Sequence, residues 1–189
     1  MIETVIVLAV IAVLVMYLVK IYNNLVTLRE AVKKAWANID VLLKQRHDEL
    51  PKLIETCKQY MKYEQETLTK VMEARSAVSS AREAGDVAGV GAAEGLMQMG
   101  LGRLFAVAEN YPDLKADQSF GHLQQRITGL EESIADRREF YNDAVNLNNV
   151  RIAQVPDVII ANMFGFKEAT LLEFSEQETA DVSVKELFE

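Results

Sequence analysis

The histidines and carboxylates of this chain are the residue types that could support acid–base or metal chemistry. A di-iron site in a helical bundle needs Glu-x-x-His pairs, but the residues three positions before His47 and His122 are Lys44 and Ser119. Neither histidine is matched with a nucleophile that it could activate. We therefore expect no catalytic residue and no metal site, and we predict that the protein is not an enzyme.

Nucleotide and thiol chemistry are not indicated either. Gly89-Val90-Gly91 could begin a dinucleotide-binding loop, but no predicted strand precedes it and Glu94 stands where a third glycine belongs. The sequence contains no G-x-x-x-x-G-K-[ST] loop for phosphate. Cys57 is the only cysteine, so neither an internal disulfide nor a cysteine metal cluster can form. We expect no cofactor and a buried Cys57 thiol.

The more informative polar residues are asparagines and aromatic residues at helical spacing. Asparagine is a poor helix former, yet several asparagines cluster in the last third of a long predicted helix. Two explanations stay open: hydrogen bonds between helices that fix their register, or a surface for a partner or a second copy. The candidate interaction or register residues are Tyr22, Asn23, Trp36, Tyr141, Asn142 and Asn149.

Helices must position these residues, and the first helix begins in an apolar segment, residues 1–22. No charged side chain occurs from Val5 to Val19. At about 1.5 Å per residue, this segment covers roughly 33 Å, enough for a hydrocarbon core of about 30 Å. No basic residue precedes the apolar run and no A-x-A cleavage pattern follows it, which argues against a signal peptide. We predict an uncleaved transmembrane anchor.

Basic residues lie on one side of this anchor. Lys20, Arg29, Lys33 and Lys34 follow the apolar run, and no Lys or Arg precedes it. The positive-inside rule therefore predicts a single-pass protein with its N-terminus outside and its C-terminal domain in the cytoplasm. The net charge of -8 argues against a nucleic-acid partner, because phosphate binding needs a basic face.

Beyond the anchor the apolar residues recur with a helical period. Pro51 is predicted to kink the first helix, and Gly85 with Asp86 to end it near Ala84. A glycine-rich helix follows, and then a long helix with Asp117 as its N-cap. The apolar face of the first helix steps by four and three through Ile21, Leu25, Leu28, Val32, Ala35, Ile39 and Leu42.

The fold predicted from this pattern is all-α. The transmembrane helix continues without a linker into an antiparallel bundle of three long helices plus a short C-terminal helix. The predicted boundaries are an anchor over 1–22, a helical bundle over 23–175 and an acidic C-terminal tail over 176–189. Outside the anchor about 165 residues remain, which is enough for one domain with its own core.

Several segments resemble one family of bacterial membrane proteins, the LemA family. The most specific are residues 39–46, IDVLLKQR, and residues 109–116, ENYPDLKA. Tyr22-Asn23 after the anchor and Tyr141-Asn142 in the long helix fit as well, whereas Asn148 departs from the pattern. The resemblance covers nearly the whole chain. It implies a single span in the bacterial inner membrane, an N-terminus outside and an antiparallel helical bundle.

The resemblance implies no agreed activity, although one relative takes part in building magnetosome membranes. The function that we expect is a membrane-anchored structural or scaffolding protein that self-associates as a homo-oligomer and organises protein partners or membrane. Its first partner is the lipid bilayer. The alternative is an adaptor or sensor module that couples the state of the envelope to a protease or signalling protein.

Overall fold

A computed structural model describes residues 1–174, and no strand occurs in that part of the chain. The fold is all-α, as predicted, whereas the predicted acidic tail lies outside the described residues. The described chain forms two compact units, the first of residues 1–38 and 137–171, the second of residues 39–136 and 172–174. The helices are α1 (Ile2–Tyr60), α2 (Gln65–Ala84), α3 (Val87–Ala108), α4 (Pro112–Ala116), α5 (Gln118–Ala153) and α6 (Asp157–Phe164).

In the first unit, α1 and α5 run antiparallel. Ile21 and Leu25, early in α1, share an apolar cluster with Ile152 near the end of α5. Trp36, later in α1, contacts Tyr141, which lies earlier in α5. Residues from α6 and the segment after it complete the cluster, whose buried members are Ile21, Leu25, Ile152, Ile160, Ala161 and Phe166.

The second unit contains the larger apolar core. Here α1 and α5 are again antiparallel, because Arg46 pairs with Glu131 and Tyr60 bonds to Asp117. Cys57 belongs to this core, so the expected burial of its thiol is confirmed. The buried core residues are Leu50, Leu53, Ile54, Cys57, Met61, Leu68, Val71, Ala74, Met97, Leu101, Leu104, Ala108, Leu114, Phe120 and Ile127.

The first helix is continuous from the anchor but ends earlier than predicted. It runs across Pro51 without a break and stops at Tyr60, and α2 begins four residues after Met61. The prediction of one helix to Ala84 is therefore wrong in its last part. The end at Ala84 itself is confirmed, as the end of α2.

Contacts with distant residues explain the break between α1 and α2. Met61, the first residue of the connection, is fully buried. The Tyr60 hydroxyl donates to the Asp117 carboxylate at 3.0 Å, and the Tyr111 hydroxyl donates to Glu64 at 3.2 Å. Burial of a large apolar side chain and these bonds outweigh the few backbone bonds that a continued helix would make.

Helix termini follow local chemistry closely. The Asp117 carboxylate accepts hydrogen bonds from the backbone N–H groups of Ser119 and Phe120, at 2.8 and 3.1 Å. This confirms the predicted N-cap of the long helix. Gly85 and Gly165 end α2 and α6 with φ of +69°, a left-handed conformation that favours glycine.

Candidate functional site

Tyr22 lies in an aromatic cluster at the end of the predicted anchor. Its ring meets Phe164, the last residue of α6, edge to face with centroids 4.8 Å apart. Phe166, beyond the Gly165 cap, lies 5.8 Å from Tyr22, and the Arg29 guanidinium is 5.2 Å from the Phe166 ring. The cluster joins α1 to α6 by edge-to-face and cation–π contacts.

Trp36 and Tyr141 are the two predicted site residues that contact each other directly. Their ring centroids lie 5.5 Å apart. Tyr141 is buried, and its hydroxyl donates to the backbone carbonyl of Thr170 at 2.8 Å. Burial raises the pKa of Tyr141 because it disfavours the phenolate. This pair joins α1 to α5 in the first unit.

Asn149 binds the segment that follows α6. Its amide nitrogen donates to the Ala169 carbonyl and its amide oxygen accepts from the Ala169 N–H, both at 2.9 Å. Asn148 is buried beside it and donates to the Asn149 side-chain oxygen at 3.1 Å. An amide can pair in this way with an extended backbone, which explains asparagines in mid-helix.

The remaining two candidates are placed differently. Asn23 is exposed on α1, and Asn142 is partly buried on α5 next to Tyr141. The contacts of Trp36, Tyr141 and Asn149 lie within the chain and suit register residues. Whether any of the six residues also contacts a partner stays a prediction.

The second unit contains a buried charge cluster, which we call the Arg46 cluster: Arg46 of α1, Glu94 of α3 and Glu131 of α5. The Arg46 guanidinium forms a bidentate pair with the Glu94 carboxylate, one bond of which is 2.9 Å long. It also donates to Glu131 at 2.6 Å. Arg46 and Glu94 are each 1% exposed, and the Glu131 side chain is 20% exposed. One cation therefore joins two carboxylates in an apolar interior.

The Arg46 cluster has one cation for two carboxyl groups, and the pKa values of Arg46 and Glu131 are both shifted. Burial opposes the charged form of Arg46, but the facing Glu94 and Glu131 outweigh it, so the pKa of Arg46 is raised. Burial also raises the pKa of Glu131, and Arg46 offsets this only in part. The second Glu131 oxygen is buried and accepts no hydrogen bond among the described residues.

Sequence reasoning missed the Arg46 cluster. The Glu131 carboxylate pairs with Arg46, which lies 85 positions away, so no local pattern around Glu131 shows this contact. The sequence contains a signal for the burial of Arg46. Arg46 lies three residues after Leu43 and four before Leu50, and so continues the apolar face of α1. That buried face comprises Ile39, Leu43, Arg46, Leu50 and Leu53.

His47 and Cys57 lie in surroundings that disfavour their charged forms. Arg75 donates to the His47 backbone carbonyl at 2.9 Å, and burial together with the Arg75 charge lowers the pKa of His47. Burial raises the pKa of Cys57 to about 12, which keeps it a thiol. Within residues 1–174 no group of three or more His, Cys, Asp or Glu side chains could hold a metal ion.

The N-terminal part of α1 has the length and composition to cross a membrane. Its apolar side chains are exposed rather than packed within the chain, as the lipid-facing surface of a span would be. The fold therefore defines the class of protein: a helical protein whose N-terminal helix is long and apolar enough to cross a membrane.

Comparison with known proteins gives the family. The chain belongs to the LemA family, whose sequence profile matches residues 35–185. It is similar to two magnetosome proteins of Paramagnetospirillum magneticum, MamQ 1 and MamQ 2, at 27% identity over 86% of this chain and 68% of each relative. The magnetosome protein MamQ of Magnetospirillum gryphiswaldense is 23% identical over the same shares of the two chains.

Proposed function

We propose that this protein is a membrane-anchored scaffold of the bacterial inner membrane that self-associates through α5 and organises protein partners or membrane. The observation that carries the proposal is an exposed apolar surface on α5, which we call the α5 stripe: Phe140, Leu147 and Val150. Each of these side chains is more than half exposed.

The α5 stripe has the spacing of a coiled-coil seam. Its residues are separated by seven and then three positions, so they lie on one side of the helix. The opposite side of α5 is already used, because Tyr141 and Val145 are buried inside the chain. Apolar side chains aligned in this way favour a second α5 as their partner, and closed pairing of identical surfaces gives a homo-oligomer.

The anchor restricts where this association takes place. The apolar start of α1 and the magnetosome relatives support membrane association. The helix α1 continues from the apolar segment to Tyr60 without a linker. Confinement to a membrane raises the local concentration of copies, so even a narrow apolar seam can sustain self-association.

Cross-linking of the full-length protein in native membranes tests the proposal. We expect the wild type to give oligomers and Leu147→Glu to reduce the cross-linked fraction several-fold, because it places a charge in the α5 stripe. Asn146→Glu is the matched control, since it adds the same charge at the exposed neighbouring position and should leave the fraction unchanged.

A wild type that is strictly monomeric in membranes and retains no protein partner would overturn the proposal. A monomer that retains a protease or signalling protein would overturn self-association and favour the adaptor alternative. Equal loss of cross-linking in the two variants would show that the α5 stripe is not the contact.

A further inference from the structure

Helix α6 carries an outer apolar face whose large side chains are more than half exposed, although the Phe164 ring at its end also contacts Tyr22. Ile159 is 60% exposed and Met163 is 69% exposed, and the two lie one helical turn apart. Val155, one turn earlier and just before α6, is 82% exposed, and Phe164 at the end of α6 is 57% exposed. The opposite face, with Ile160 and Ala161, is buried in the apolar cluster of the first unit. Thus α6 is apolar on both its inner and its outer face.

The outer face of α6 is continuous with the surface of the anchor. A cavity of about 300 Å³ lies between the two helices, lined by Leu18, Val19 and Tyr22 of α1 and by Ile160, Met163 and Phe164 of α6. Leu18 and Val19 belong to the predicted transmembrane segment. The end of α6 therefore lies beside the last turn of that segment, where the hydrocarbon region meets the headgroups.

We propose that α6 inserts its outer face into this boundary region of the bilayer, so that the protein contacts lipid at a second place besides its span. The inference rests on the proposed membrane anchor. Leu18 and Val19 lie about 4.5–6 Å along the helix from Tyr22, close to the lower end of the depth of about 5–10 Å to which interfacial helices bury their apolar face. An 8-residue helix is too short to cross a bilayer, but it suffices for such a contact.

The surrounding charges favour lipid over a second copy as the occupant. Lys20 and Arg29 on α1 and Lys167 just after α6 are exposed, and the Arg29 guanidinium lies over the ring of Phe166, two residues beyond the end of α6. Basic side chains at this depth are attracted to anionic headgroups. A second copy would bring the same basic residues against them, which is unfavourable.

Fluorescence from a dye on single cysteines tests the contact in the full-length protein. Ile159→Cys and Met163→Cys would be labelled with nitrobenzoxadiazole, and the protein reconstituted in vesicles of phosphatidylcholine and phosphatidylglycerol. Cys57 is buried and stays unlabelled in the folded protein. Val10→Cys in the anchor is the positive control. Ala37→Cys, exposed on α1 about 22 Å beyond Tyr22, is the negative control.

We expect blue-shifted emission at Ile159 and Met163, with quenching by nitroxide-labelled lipid close to that at Val10 and several-fold above that at Ala37. Emission and quenching like those of Ala37 would overturn the inference while leaving the span intact. Blue-shifted emission without lipid quenching would overturn it in favour of a protein contact. If Val10 is not quenched either, the membrane anchor fails as well.

Discussion

At the scale of single residues, the Arg46 cluster is the most specific feature of the second unit. A buried arginine with two carboxylates contributes little net stability compared with apolar residues of the same volume, because all three groups lose their hydration. Its geometry is nevertheless selective. Only one register of α1, α3 and α5 brings the guanidinium into contact with both carboxylates, so we infer that the cluster selects this packing over shifted alternatives.

Removal of the Arg46 charge should destabilise the fold strongly. Arg46→Met leaves Glu94 and Glu131 buried without a cation, and we expect a loss of about 3–5 kcal/mol in the free energy of unfolding. The matched control is Lys70→Met, which breaks an exposed pair with Glu66 and should have far less effect on the free energy of unfolding. Urea unfolding of the full-length protein in detergent, followed by circular dichroism, measures both. A similar cost for the two variants would contradict the prediction.

The Glu131 carboxyl should make stability depend on pH. Because its pKa is raised above the ordinary 4.5 in the folded protein, the folded state holds this proton more tightly than the unfolded state. The resulting stabilisation is fully present below pH 4.5 and is lost as the pH rises through the folded-state pKa. The unfolding free energy of the wild type minus that of Glu131→Gln should therefore fall as the pH rises, because only the wild type loses this stabilisation. A difference that stays constant or grows would contradict this direction.

The composition of the Arg46 cluster shows how far a sequence predicts a site. The position of Arg46 on the buried face of α1 is visible from spacing alone. The identity of its partners is not, because Glu94 and Glu131 lie 48 and 85 positions away. Local pattern indicates burial, whereas long-range pairing depends on how the helices pack.

At the scale of elements, α3 packs closely because it is rich in glycine. A Cβ at Gly91 would collide with the backbone carbonyl oxygen of Glu173, in the segment after α6. At Gly102, on the same helix, a Cβ would meet nothing within 4 Å. The close approach of Glu173 therefore explains the glycine at position 91. Nothing in the structure explains the glycine at position 102.

Alanine at these two positions should change stability in opposite directions. Gly91→Ala must displace the segment at Glu173 or distort α3, and we expect a loss of about 1–3 kcal/mol. Gly102→Ala should stabilise the protein by about 0.5–1 kcal/mol, because alanine favours the helix. Thermal unfolding in detergent compares them. Stabilisation by both substitutions would show that the Glu173 contact is not maintained.

The elements were predictable to the extent that their signals are local. Hydrophobic spacing predicts α1 and α5, and the Asp117 cap and the Gly85 and Gly165 termini follow from residue type. The end of α1 at Tyr60 has no such signal, because no glycine or proline occurs in residues 61–64. Burial of Met61 and two tyrosine hydrogen bonds decide it, and these depend on residues about 50 positions away.

At the scale of the whole molecule, membrane orientation follows from where the basic residues lie. Lys20, Lys33 and Lys34 follow the anchor, so we predict a cytoplasmic C-terminal domain. A C-terminal green fluorescent protein fusion should fluoresce in bacteria, and the corresponding alkaline phosphatase fusion should be inactive. Replacement of these three lysines by glutamine, with three lysines added before Ile2, should reverse both results. An active phosphatase fusion of the wild type would contradict the predicted orientation.

The pairing of α1 with α5 also sets an order of events during synthesis. The anchor emerges from the ribosome before α5, which contributes to both units and begins only at Gln118. At roughly 5–20 residues per second, about 3–12 s pass between the synthesis of Tyr60 and that of Gln118. During that interval the apolar face of α1 has no α5 to cover it. We therefore expect the anchor to insert into lipid before the bundle folds, so that the nascent chain folds at the membrane.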